Sequence, residues 1–357
     1  MSRTGSEQPQ QKCYDSQQSQ HAGRLSIIDS NALCRGIGFL FQEPSVIDWI
    51  LSQTGARTVR EVTLVQQLWN GYGELLRITL EGAPRASVIV KKVVPPPHLS
   101  RSVSDLRKKR SYEVERTWYL EGASRCDEHC RVARMLGLKI EGETSLMLLE
   151  DLCDSGYFPD RQPSPERVRS GLSWFASFHA RFLERIPEGL WEQGSYWHFE
   201  TRQEEWERMP PGPLKEHAAD LDRALRATRY KTLLHGDPKP ANFCWNADNQ
   251  AAAVDFQYVG GGCGIRDVIL FMDRGLGRRR CREEEDKWLD FYFQRLFEAL
   301  RREGREVDGE ELQSDWRPRF AVAWSDYARF YQGWAGAHSL DPYGQELLER
   351  ALKSIRD

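Results

Sequence analysis

From Leu233 to Asp267 the chain reads LLHGDPKPANFCWNADNQAAAVDFQYVGGGCGIRD. His235-Gly236-Asp237 sets a carboxylate on a tight turn, and Pro238 and Pro240 stiffen the loop and remove backbone donors. Lys239 and Asn242 follow within the same loop. Phe243-Cys244-Trp245 and Ala251 to Val254 have the length and composition of two short strands, with Ala247 to Gln250 as the turn between them. Such a hairpin returns Asp255 to the side of the first loop. Two carboxylates, a carboxamide and an ammonium group then converge. That set suits phosphoryl transfer from a nucleotide. Asp237 is placed to orient or deprotonate an acceptor hydroxyl. Asn242 and Asp255 offer the hard oxygen ligands that Mg²⁺ takes. Lys239 neutralises charge on the moving group. Positioning and electrostatics supply most of the catalysis in this class of reaction.

Other elements must carry this loop. Upstream, Val62–Val65, Leu75–Leu80 and Ser87–Lys91 read as strands, with Gly71, Gly73, Gly82 and Pro84 at the turns. Residues 45–55 suggest a helix with Ser45 as its cap, and residues 104–122 a second helix with an apolar seam at Val114, Trp118 and Tyr119. Ser145–Leu149 reads as a buried strand. Beyond residue 163 helical periodicity dominates, most clearly over 167–183, 285–303 and 317–335. The expected fold class is α+β with two lobes, strands first and helices second. The expected divisions are a disordered Gln/Ser-rich tail over 1–24, an N-terminal nucleotide-binding lobe over 25–150, and a catalytic and substrate lobe over 151–357.

Composition narrows the alternatives. The 357 residues carry 50 Lys and Arg against 53 Asp and Glu, a formal charge of −3. A dedicated nucleic-acid binder would show a basic excess, so no nucleic-acid partner is expected. No run reaches the ~18 consecutive apolar residues of a membrane span, and the polar start lacks the apolar core of a secretory signal. A cytoplasmic protein without a membrane partner is the expectation. Eight Cys with no CxxC read as reduced thiols, and Cys126, His129 and Cys130 lack a second half with zinc-ligand spacing.

HGDPKPAN followed by VDFQ resembles the catalytic and metal loops of the aminoglycoside phosphotransferase and choline kinase superfamily, in its ecdysteroid-kinase-like (CHK-kinase-like) branch. The match rests on His235, Gly236, Asp237, Asn242, Asp255 and Phe256. The resemblance spans roughly residues 60–340 and implies the bilobal protein-kinase-like fold, with ATP and Mg²⁺ as cofactors and a small-molecule hydroxyl as acceptor. It makes Asp237 and Lys239 catalytic and Asn242 and Asp255 metal ligands. It gives Lys91 to the nucleotide phosphates and Glu115, favoured over Glu113, as the partner of that lysine. Strand alternation allows only one of Lys91 and Lys92 to face the cleft. Gly71 and Gly73 fall at the phosphate loop. Met147–Leu152, with Glu150 and Leu152, falls at the inter-lobe hinge that would hold adenine. Gly236 and Gln257 stand where protein kinases carry Arg and Gly, which disfavours a protein kinase. A catalytically silent nucleotide-binding scaffold is the rival reading, opposed by the presence of every one of these groups.

Several further residues have plainer readings. Gly260–Gly262 and Gly264 suit either a close approach to substrate or a flexible loop. Asp267 matches a position that braces the catalytic loop, though a helix cap would look the same. His179 reads as helix packing near the hinge. The basic run 107–110 reads as a solvated helix start, and Arg278–Arg280 as paired locally with Glu283–Glu285. Trp191, Tyr196, Trp197 and Trp206 lie among Glu200, Glu204, Glu205 and Glu207, a mixture able to hold a cation but also typical of packed helices. Trp324, Tyr327, Phe330 and Trp334 read as a buried helical seam. Gly137–Gly142 has Walker-like spacing, but Glu143 replaces its lysine.

Overall fold

The computed structural model describes residues 44–96, 102–336 and 339–356, so the tail assigned to 1–24 lies outside the described residues. The first helix, α1 (Pro44–Thr54), starts before Ser45, which therefore sits in the first turn and does not cap it. Strands β1 (Thr58–Gln67), β2 (Gly73–Glu81) and β3 (Ser87–Val93) lead to helix α2 (Val103–Glu121). Strands β4 (Arg131–Val132), β5 (Met135–Glu141) and β6 (Thr144–Glu150) follow. Five of these strands form an antiparallel sheet in the order β1-β2-β3-β6-β5.

The strand period of two divides that sheet into two apolar faces. Val88 and Val90 join Leu76, Ile78, Leu146 and Leu148 in a buried cluster with Val46 and Ile50 of α1. Lys91, one residue out of phase with them, faces the other way, opposite Leu75 and Met147 in the register. Ser102 caps α2 by accepting the Asp105 N–H at 3.2 Å, and Val114, Trp118 and Tyr119 are buried as the seam requires.

After β7 (Phe158–Pro159) the chain is mostly helical. Helix α3 (Pro165–Phe182) opens with Ser164 as its cap and Pro165 in the first turn, where its missing N–H costs nothing. It buries Val168, Leu172, Phe175, Phe178 and Phe182 in the large core. Helices α4 (Gln203–Arg208), α5 (Pro213–Glu216) and α6 (Ala218–Arg226) precede four short strands. These are β8 (Thr232–Leu234), β9 (Phe243–Trp245), β10 (Ala251–Ala253) and β11 (Gly260–Gly262). β9 and β10 form the expected hairpin, with Cys244 opposite Ala252. Helices α7 (Ile265–Leu276), α8 (Arg278–Arg302), α9 (Gly309–Trp316), α10 (Arg319–Ala335) and α11 (Pro342–Ser354) complete the chain. Among the described residues no helix is long and apolar enough to cross a membrane.

The structure corrects further expectations here. The glycine run is a paired strand, since β11 runs antiparallel to β8. Its lack of side chains admits the 191–194 segment, because a Cβ on Gly260 would lie 2.3 Å from the Trp191 carbonyl oxygen. Of the local pairs expected over 278–285, only Arg279–Glu283 forms. Arg278 turns to Asp273 and Asp341, and Glu285 to Arg350. The seam of α10 ends at Phe330, since Trp334 is exposed.

A buried charge cluster ties α7 to α10. Asp326, 0% exposed, accepts from Arg266 at 2.7 Å and from Arg329 at 2.8 Å. Arg266 also reaches Gln193 Oε1 at 3.2 Å, and Arg329 the Trp197 carbonyl at 2.8 Å, so the cluster pins the 193–198 segment. Within that segment His198 is buried with no partner for Nδ1. Burial, with Arg266 and Arg202 nearby, pushes its pKa down to about 3. Burial alone would raise the Asp326 carboxyl, but Arg329 and Arg266 hold it below the usual carboxylate range.

Two stability predictions follow from this cluster. Asp326→Ala leaves two buried guanidinium groups without their counter-charge and should cost about 3–5 kcal/mol in a urea melt. His198 is depressed in the folded state, so its contribution is intact above the ordinary histidine pKa and falls away as pH drops toward 3. Between pH 6.5 and 5 the wild type should lose roughly 2 kcal/mol through this group, and His198→Gln should flatten that slope. An unchanged slope in the variant would remove His198 from the account.

Candidate active site

β8 delivers His235 and Gly236 into the core, where Asp267 in the first turn of α7 receives them. The His235 N–H reaches Asp267 Oδ2 at 2.7 Å and the Gly236 N–H reaches Oδ1 at 3.1 Å. Asp267 thus holds the loop backbone and is not the helix cap. His179 lies under it, with Nε2 at 3.3 Å from Asp267 Oδ2 and Nδ1 at 2.7 Å from the Tyr292 hydroxyl. It packs beneath the catalytic loop, not at the hinge. His235 fixes its own tautomer. Nε2 donates to the Val254 carbonyl at 3.0 Å, leaving Nδ1 to accept the Asp237 N–H at 3.3 Å. Burial pushes the His235 pKa down, so the ring is neutral. Gly236 has φ +83°, and a Cβ there would meet the Tyr258 carbonyl at 2.0 Å, so glycine is required on both counts.

The loop then turns over Asp237, which is 7% exposed. Lys239 Nζ donates to Asp237 Oδ2 at 2.7 Å, and Asn242 Nδ2 donates to the same oxygen at 3.0 Å and to the Asp237 carbonyl at 2.9 Å. Asp237 Oδ1 is left for a reacting group. Both Asn242 side-chain bonds use its nitrogen, so its Oδ1 is left for a cation.

The hairpin brings Asp255 to the sheet. Lys91 Nζ lies 2.6 and 2.8 Å from the Glu115 oxygens and 3.4 Å from Asp255 Oδ1. Lys92 faces away from this group, and Glu113 pairs with Arg110 on the outer side of α2. Burial works against the Lys91 charge, but Glu115 and Asp255 outweigh it and raise its pKa. Burial pushes the Glu115 carboxyl up against the pull of Lys91; with Nζ at 2.6 Å, the ionised pair is the form the geometry supports. Burial would also raise Asp255, yet Lys91, Lys239 and Lys108 hold it at about 2. Asp255 therefore stays ionised. Its φ of +68° is a strained conformation for a residue with a Cβ, costing ~1 kcal/mol or more.

Two residues escaped the sequence reading. Lys108, placed there in a solvated run, is pushed down in pKa by burial and donates to Gln257 Oε1 at 2.6 Å. Gln257 passes the contact on, its Nε2 reaching Asp255 Oδ1 at 2.7 Å. A signal was present, since Lys108 and Glu115 lie seven apart and share a helix face.

The remaining expected residues lie apart from this group. Gly73 has φ +134°, and a Cβ there would sit 2.0 Å from the Lys92 carbonyl, so the glycine permits strand pairing as much as any ligand approach. Gly71 needs only its φ of +75°. The Glu150 side chain is engaged by Arg131 at 2.6 Å, Ser155 at 2.8 Å and the Arg134 N–H at 3.1 Å. The Leu152 carbonyl accepts from Tyr157 and Ser155, while the Leu152 N–H has no partner among the described residues.

The donor set suits a hard divalent cation, with an ionised carboxylate at Asp255 and an amide oxygen at Asn242. Mg²⁺ would be held there by these two side chains.

Comparison with known proteins places this arrangement. Residues 164–307 match the model of the phosphotransferase enzyme family. A microcompartment-associated aminopropanol kinase is similar at 15% identity, with 88% of this chain and 95% of that chain covered and a TM-score of 0.50. A choline kinase from Streptococcus pneumoniae is similar at 14% identity, covering 88% and 99% of the two chains, with a TM-score of 0.45. No curated protein matches. The matched family segment contains Asp237, Lys239, Asn242 and Asp255, and the likeness to the aminopropanol kinase is one of α+β kinase-like fold.

Proposed function

We propose that the protein is an ATP- and Mg²⁺-dependent kinase that transfers the γ-phosphoryl group to a hydroxyl of a small molecule, in the ecdysteroid-kinase-like branch. The observation that carries this reading is the contact between Lys91 on β3 and Asp255 after β10. It joins the sheet's phosphate-binding candidate to the metal-binding candidate of the helical part. A magnesium–nucleotide pair, when bound, supplies the phosphoryl group and neutralises its charge. Lys91, oriented by Glu115, binds the α and β phosphates. Asn242 and Asp255 hold the metal. The Leu152 N–H is open to an adenine acceptor, while Glu150 acts through its backbone because its carboxylate is engaged. Asp237 accepts the hydroxyl proton through Oδ1, while Lys239 and Asn242 fix Oδ2 and so orient the carboxylate. Lys239 adds positive charge beside the reacting oxygen.

Labelled ATP with a metabolite extract, followed by mass-spectrometric identification of the new phosphate ester, tests the activity. Asp237→Ala should lower turnover by about 10²–10⁴-fold while leaving nucleotide binding nearly intact. Asp255→Ala should weaken Mg²⁺-dependent nucleotide binding, read by titration with and without the metal. Wild-type turnover in Asp237→Ala would refute the role given to Asp237. Nucleotide binding that ignores Mg²⁺ would do the same for Asp255.

A further inference from the structure

A cavity of about 360 Å³ lies between the C-terminal end of α7, the face of α10 and the 161–163 and 339–341 segments. Its volume is within the ~300–1,000 Å³ typical of small-molecule sites. The C-terminal end of α7 forms one wall. There a Cβ on Gly275 would lie 3.9 Å from the ring of Pro240, the residue that follows Lys239. The face of α10 forms the opposite wall with Trp324, Tyr327 and Tyr331. These rings offer planar apolar surface. Ser339, Asp341 and Arg161 complete the lining.

The charges in this lining have a definite sign. Arg161, Arg274 and Arg278 face two carboxylates, Asp273 and Asp341, an excess of one positive charge. Both carboxylates are committed to Arg278, at 3.3 Å from Asp273 and 2.8 Å from Asp341. That guanidinium also stacks over Trp324 at 4.4 Å and Tyr343 at 4.8 Å. Arg274 donates to the Tyr327 hydroxyl. Arg161 is exposed and has no carboxylate partner among the described residues. No carboxylate of the lining is therefore left to receive a cation, and an ammonium group entering the cavity would meet guanidinium groups.

We propose that this cavity is the acceptor subsite, and that it selects a hydroxylated molecule with a planar apolar body and an anionic group, against ammonium alcohols. The assignment rests on the kinase reading for its link to phosphoryl transfer. The charge selection is a property of the cavity itself. Tyr327 and Tyr331 on α10 hold the planar body. The guanidinium excess attracts the anion, and planar guanidinium groups pair well with carboxylate or phosphate oxygens. Aromatic faces alone would have favoured a cation, but Arg278 already covers the Trp324 face.

The test uses the full chain and three probes on one scaffold: para-hydroxymethyl benzoate, the corresponding benzamide and the corresponding benzylammonium. Binding of each is measured by titration, followed by saturation-transfer NMR. The benzoate should bind about tenfold or more tighter than the benzylammonium, with the neutral amide between them. Arg161→Glu changes an exposed side chain and reverses the charge excess, and it should bring that ratio to one or below. Equal or tighter binding of the benzylammonium to the wild type overturns the proposal. So does absence of benzoate binding, or a ratio unchanged in Arg161→Glu. Mg²⁺-dependent ATP binding is measured on the same samples. If it is absent while the charge preference holds, the kinase reading fails and the anion-selective cavity stands. If it is present while the preference is absent, the reverse is true.

Discussion

Two consecutive residues at the start of α7 organise the packing around the 235–242 loop. Asp267 points its carboxylate at the backbone of His235 and Gly236, and Arg266 points its guanidinium at Asp326 of α10. Both are buried, so neither bond competes with water, and breaking one would strand a polar group in the core. One helix turn thus fixes the 235–242 loop on one side and the 193–198 segment on the other. That segment closes the circuit, since the Tyr196 N–H donates to the Gly236 carbonyl at 2.9 Å. The other end of α7 forms a cavity wall, so a single rigid element positions the loop and the space beside it.

The electrostatics of the cleft follow from opposition across the two parts of the chain. Lys91 sits between Glu115 and Asp255, and Lys108 supports the same carboxylate through Gln257. Asp255 is held in a strained backbone conformation by these contacts and by the Val254 N–H, which donates to the Asn242 carbonyl at 2.9 Å. The low carboxyl pKa has a clear cause: several cations meet at a carboxylate that the hairpin delivers. Such a carboxylate is ready for a hard cation without first losing a proton. A net charge of −3 says nothing against phosphate handling when the positive charge is needed at only a few positions.

Much of this was legible in the residues. The hairpin between Asn242 and Asp255 could be read from strand length and turn composition, and so could the need for Asp237, Asn242 and Asp255 to converge. Strand alternation separated Lys91 from Lys92. Other features were hidden because they depend on partners distant in sequence. Lys108 lay in a basic run that looks solvated until Gln257, far along the chain, is packed against it. The glycines of β11 looked loop-like because nothing local shows that the Trp191 backbone presses on them. Arg278 had a local glutamate to pair with, yet Asp341 offered a better-shielded partner.

The sequence by itself determined which groups exist, which of them lie on one loop or one strand face, and the order in which they enter the fold. Local rules of turn, period and cap are enough for that, since they act over a few residues. Only the tertiary structure decided other long-range pairs: Arg266 with Asp326 and Lys108 with Gln257. It also decided the sign of the charge around the cavity. There the carboxylates of Asp273 and Asp341 are engaged by Arg278, and the one guanidinium charge in excess sets the field. Net charge in a cavity is a sum over residues that only packing brings together, so no local pattern in the chain carries it.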